Sequence, residues 1–214
     1  MSPVTVIRSL PAVPEVRQVH ARMGFKPQRA DIPLSMRALV EEAFYAGKDL
    51  ARPAACYALR AVLSWTPDRV EAEGGFTVAS RKAAARLEGC AGIYLAAVTL
   101  GPDLDRRVAE LSAAGDVTRA FLLNAWGAEA AEALMEALNR ELARLEAAQR
   151  RSLTPRYSPG YGDWGLAAQR DLLGALETHR IGITLTASCL MIPEKSVSAV
   201  MGVKARGPVI DSTK

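Results

Sequence analysis

The stretch from Asp116 to Gln149 constrains the fold more than any other part of the chain. Leu122, Trp126, Ala130, Leu134, Leu138, Leu142 and Leu145 recur at a spacing close to four. On a helix, that spacing lays an apolar stripe along one side and lets it drift slowly around the axis. Asp116 is a suitable N-cap, and the charged pair Arg150-Arg151 follows the far end. Such a helix must bury its stripe against another layer. Residues 93–99 read as the central strand of that layer, because their apolar run is continuous, while 181–186 and 196–202 alternate as strands should.

The rest of the chain supplies shorter elements. Residues 4–8 and 76–78 are β-like, the second after the Gly74-Gly75 turn. Helical readings fit 17–24, closed by Gly24, and 33–47, opened by Pro33 and stopped at Gly47. Residues 52–63 repeat that pattern, with Pro53 near the start and Tyr57, Leu59, Val62 and Leu63 as apolar positions. Further helices are expected over 80–88, from Pro102 to residue 111, and over 166–178. There is no internal repeat and no regular strand–helix alternation. The expected class is therefore α+β, a mostly antiparallel sheet with packed helices including one long one. The expected division is a mainly helical N-terminal segment at 1–70, an α+β core at 71–205 and a loose tail at 206–214.

Composition narrows the function classes. Half of the 214 residues are hydrophobic and 23% are charged, the balance of a soluble globular chain with room for one sizeable core. No apolar run is long enough to cross a bilayer, and the segment around Arg8, Pro11 and Pro14 does not read as a secretory signal. Cys56, Cys90 and Cys189 are scattered and odd in number, which suits a reducing cytoplasm better than a disulfide framework. None has a histidine at metal-ligand spacing, and no metal site is expected. The net charge of +4 comes from interleaved acids and bases, without the basic stripe and stacking aromatics that nucleic acid requires. His20 and His179 are poor catalytic candidates, and no glycine cluster has the strand–turn–helix setting of a phosphate loop.

The loop after the long helix is chemically dense. Arg156, Tyr157, Pro159, Gly160, Tyr161, Gly162, Asp163 and Trp164 fall within nine residues. The guanidinium is a planar fork suited to a carboxylate, and the rings offer flat apolar faces with polar tips. Two readings stand side by side. One is a pocket for an anionic, partly aromatic small molecule. The other is an aromatic turn packed on the core, with Arg156 tied to a nearby carboxylate.

Arg156 with Gly160-Tyr161, followed by Gly182, Leu185-Thr186, Ser188, Pro193 and Ser196-Val197-Ser198, resembles the activation (reactivation) domain of cobalamin-dependent methionine synthase in its short, free-standing form. The resemblance is strong over 116–203 and looser back to Gly89-Cys90 and Thr99-Leu100-Gly101. It implies a protein that binds S-adenosylmethionine and docks over the corrinoid of a separate cobalamin-binding methionine synthase or related corrinoid protein. There it would support reductive remethylation of cob(II)alamin with a flavodoxin or ferredoxin-type electron donor, as a component of that methyltransferase system. It also implies that Arg156 holds the methionyl carboxylate, that Glu132 supplies a carboxylate from the preceding helix, and that Tyr157, Gly160 and Tyr161 shape the site. No residue need act as acid or base.

Read without the resemblance, Glu132 belongs to a solvated acidic face beside Glu129, Glu136 and Asn139. The sequence also departs from the larger family members in three ways. Ala187 stands where they carry glutamate, no tyrosine follows the Ser-Val-Ser strand, and an acidic residue from their N-terminal segment has no counterpart. These departures leave an alternative: a corrinoid-protein partner or scaffold that kept the fold and lost S-adenosylmethionine binding.

Overall fold

Every residue of the strand Gly92–Thr99 (β5) is buried, and the remaining elements are arranged on its two sides. The computed structural model describes residues 2–25 and 32–205. The elements run β1 (Thr5–Ile7), α1 (Val16–Arg22), α2 (Leu34–Leu50), β2 (Ala54–Thr66), β3 (Arg69–Ala72), β4 (Phe76–Ala79) and α3 (Arg81–Leu87) before β5. After it come α4 (Asp103–Ala113), α5 (Val117–Ala148), β6 (Arg151–Leu153), α6 (Gln169–Ala175), β7 (Thr184–Leu185), β8 (Met191–Ile192) and β9 (Ser196–Ala205). The main sheet has seven strands in the order β4-β3-β2-β5-β9-β6, with β1 beside the first half of β2, and all its pairings are antiparallel. The α+β class and the long helix follow the sequence expectation.

Period-two alternation divides the sheet's side chains between two cores. Tyr94, Ala96 and Val98 of β5 join Ala199, Met201 and Val203 of β9 under α5, where they meet Trp126, Ala130, Leu134 and Leu138. Ile93, Leu95 and Ala97 point the other way, toward Leu87 of α3 and Leu172 and Leu173 of α6. Because both faces of β5 are covered, its sequence is continuously apolar. Asp116 caps α5 by accepting from the Arg119 N–H, as its position suggested.

Four sequence expectations are corrected. Residues 52–63 form not a helix but most of β2, which pairs with β5 from Ala54 to Ala61. The alanine-rich run has high helix propensity, yet small residues on both faces suit a strand between two layers: Ala54, Cys56 and Ala58 enter one core and Ala55 the other. Residues 181–186 do not join the main sheet. Only Thr184–Leu185 are extended, paired with β8 in a separate two-stranded ribbon, because a 3-10 turn at Thr178–Ile181 and the left-handed Gly182 precede them. The expected helix at 166–178 is shorter, a 3-10 turn leading into α6 and ending before the left-handed Glu177.

Gly47 does not stop α2, which continues to Leu50. Its missing side chain serves packing instead. A Cβ there would lie 2.3 Å from the Trp126 ring, so α2 approaches α5 closely only because position 47 is bare. At the other end of α5, Glu146 is almost wholly buried and accepts from the Tyr94 hydroxyl at 2.6 Å and from the Arg151 guanidinium. Burial first, and then the Glu146 carboxylate, raise the Tyr94 pKa above the usual phenol range. The expected tail at 206–214 lies outside the described residues, among which no helix is long and apolar enough to cross a membrane.

Candidate functional site

The loop from Arg156 to Trp164 is fixed at both ends and through its middle. Tyr157 exchanges two backbone hydrogen bonds with Val200 of β9, at 3.0 and 2.8 Å. Its ring stacks on the buried Trp164 with centroids 6.2 Å apart, and the Arg86 guanidinium lies over it at 5.1 Å, a favourable cation–π position. The Tyr157 hydroxyl donates to the Tyr161 carbonyl at 3.0 Å. Gly162 makes that arrangement possible, since its φ of +59° is left-handed and a Cβ would meet the Tyr157 oxygen at 2.4 Å. Asp163 then caps α3, accepting from the Ser80 hydroxyl at 2.6 Å and the Arg81 N–H at 2.7 Å. The Ser80 hydrogen bond, with those backbone N–H groups, holds the Asp163 carboxyl below its ordinary range.

Anchored in this way, the loop sends Arg156 across to α5, where its Nη2 donates to Glu132 Oε2 at 2.7 Å. The pair stands in the wall of a cleft of about 480 Å³ between α5, the loop, α6 and the start of β9. Glu132, Arg156, Tyr157 and Tyr161 all line it, as do Arg86, Leu166 and Met191. Gly160 does not. Its N–H donates to the Trp164 carbonyl at 2.8 Å, which makes it part of the turn behind the lining.

The inner wall is polar and already wired. Ser198 donates to Gln169 Oε1 at 2.9 Å, and Gln169 Nε2 donates to the Cys189 carbonyl at 2.9 Å. Ser196 donates to the Pro193 carbonyl at 2.7 Å, and its hydroxyl is also hydrogen-bonded to that of Thr99 at 2.9 Å. Gln169, Ser196 and Ser198 are buried and line the cleft. Sequence reasoning had the two serines only as part of a motif, and Gln169 carried no signal at all. Ala187 lines nothing of the cleft, and its carbonyl accepts from Arg170 at 2.9 Å.

The two sequence readings of the loop prove compatible. Tyr157 and Trp164 do pack as an aromatic turn and Arg156 is tied to a carboxylate, yet the tie itself borders a cavity. Chemically, the cleft offers a cation and an anion in contact, a second guanidinium at Arg86 held over the Tyr157 ring, an exposed phenol at Tyr161, and a hydrogen-bonding floor. That set suits a small zwitterion carrying a flat polar ring.

Among solved structures, the crystal structure of the MetH reactivation domain bound to AdoHcy matches with a TM-score of 0.71 at 14% sequence identity, over 94% of this chain and 78% of that one. At that identity the likeness speaks for the fold. No curated protein sequence matches the chain. The family model described as the activation domain of vitamin B12 dependent methionine synthase matches residues 84–207, more than half of the chain and including β5, α5, the Arg156 loop and the whole of β9. The chain therefore belongs to the vitamin B12 dependent methionine synthase activation domain family.

Proposed function

We propose that this chain binds S-adenosylmethionine in the cleft beside Glu132 and Arg156, and that it acts as a reactivation component for a cobalamin-dependent methionine synthase or related corrinoid protein. The observation that carries the proposal is the 2.7 Å contact of Arg156 with Glu132 at the wall of the cleft. An α-amino acid brings a carboxylate and an ammonium together, and can exchange into such a pair without stranding either protein charge. Arg156 then takes the methionyl carboxylate and Glu132 the ammonium. Tyr157, Gly160 and Tyr161 give the loop its shape, and Tyr161 lies against the remainder of the ligand. The AdoHcy held by the structurally similar MetH domain supports the same ligand class.

The ligand contributes a methyl group activated on a sulfonium, and this chain's share is to position it and exclude water. One electron from a flavodoxin or ferredoxin-type donor and one methyl group from the sulfonium restore the partner's cob(II)alamin to its methylated state, leaving S-adenosylhomocysteine. None of the cleft residues has to move a proton for this.

A second reading has specific support. Tyr161 in the cleft wall is 65% exposed, as in a partner or scaffold module that no longer grips the ligand. Calorimetry separates the two. Titration with S-adenosylmethionine, alone and with a cobalamin-binding partner, should give saturable binding. No heat at millimolar ligand in either case, with the partner still captured, would favour the scaffold reading.

A further inference from the structure

The Arg156–Glu132 pair is a shared wall. Behind it lies a second concavity of about 510 Å³, lined by Gln18, Ala21, Arg22, Glu129, Glu132 and Arg156. Arg22 comes from α1, outside the residues that the family model matches, and its Nε donates to Glu129. Glu129 and Glu132 lie one turn apart on α5, where like charges repel. Each is neutralised from outside the helix, Glu129 by Arg22 and Glu132 by Arg156. The cavity is thus lined by two guanidinia and two carboxylates, with no net charge among them.

A singly charged group entering this set adds an unbalanced charge. A zwitterion adds none, and its carboxylate and ammonium can each settle against two groups of opposite sign. We propose that the second cavity receives the α-amino-acid end of the ligand, its carboxylate between Arg156 and Arg22 and its ammonium between Glu132 and Glu129. Arg22 is then a specificity-determining residue supplied by the N-terminal helix. This inference rests on the S-adenosylmethionine reading of the cleft.

The test compares S-adenosylmethionine with 5′-deoxy-5′-methylthioadenosine, which lacks the amino-acid end. Affinities are measured for the full-length wild type and for Arg22→Ala, Arg22→Lys and Arg156→Ala, by calorimetry for the first ligand and ligand-observed NMR for the second. Arg22→Ala should weaken S-adenosylmethionine about fivefold, the scale of a half-exposed ion pair, and leave methylthioadenosine unchanged. Arg22→Lys should recover part of the loss. If Arg156→Ala weakens S-adenosylmethionine while Arg22→Ala does not, the inference falls and the cleft reading stands. Equal weakening of both ligands by Arg22→Ala also overturns it, since the arginine would then be acting through the fold. A wild type that binds no S-adenosylmethionine overturns the cleft reading and this inference together.

Discussion

Replacing Arg156 with alanine separates what the arginine does for the fold from what it does for a ligand. In the free protein its partner is Glu132, and the two side chains are 31% and 40% exposed. Pairs this open to water contribute about 0–1 kcal/mol, so the melting temperature should fall by no more than about 2–4 °C for a chain of this size. With S-adenosylmethionine bound, the same change removes charge-assisted hydrogen bonds to a carboxylate. A fully desolvated pair would cost about 3–5 kcal/mol when broken. The partial exposure lowers that to roughly 2 kcal/mol, or about thirtyfold in dissociation constant. Arg156→Lys should recover only part, because an ammonium cannot reproduce the planar fork. Calorimetry and thermal melts on the same samples decide the matter. An Arg156→Ala protein that melts much lower and binds S-adenosylmethionine as the wild type does would make the arginine a structural tie.

Two further outcomes follow from features away from the ion pair. Gly47→Ala gains about 1 kcal/mol of helix propensity but places a Cβ against Trp126, and overpacking of that kind costs about 1–3 kcal/mol. The net effect should be a lower denaturation midpoint, and a higher one would mean that the α2–α5 contact is loose. Asp163 has a depressed folded-state pKa, so it favours folding above its unfolded value near ~4 and loses that contribution as pH falls through the lower folded value. Denaturation midpoints of Asp163→Asn should therefore depend less on pH below about 4 than those of the wild type, and equal slopes would remove the cap from the account.

The long helix was legible because its signals are local. Asp116 caps, the leucine ladder faces one way, and the burial of Trp126 and Leu134 follows directly. Strand β2 was not, because its first residues, Ala54–Ala58, are mostly small and are covered on both faces. Alternation disappears under those conditions, and alanines at 54, 55, 58 and 61 look helical until β5 is beside them. The ribbon of β7 and β8 has two residues a side, too few to show any period. In the candidate site, Arg156 and Tyr161 announced themselves through the glycines and rings around them, and Glu132 through the family resemblance. Gln169 and Arg22 had no such neighbours. Their places depend on α6 and α1 folding back against the sheet and α5, which no short window of sequence encodes.

The buried Glu146 carboxylate has a consequence for the loop that follows it. It ties the last turn of α5 to Tyr94 of the central strand and to Arg151 of β6, and β6 in turn is laddered to β9. Only four residues separate Arg151 from Arg156. Beyond Arg156 the chain is held again at Tyr157 and at Asp163. The guanidinium is thus carried on backbone clamped on both sides, and little main-chain freedom remains to be surrendered when a ligand arrives. Preorganisation of this kind lowers the ordering cost of association. A modest number of contacts can then hold a small molecule that the same residues on a slack loop would release.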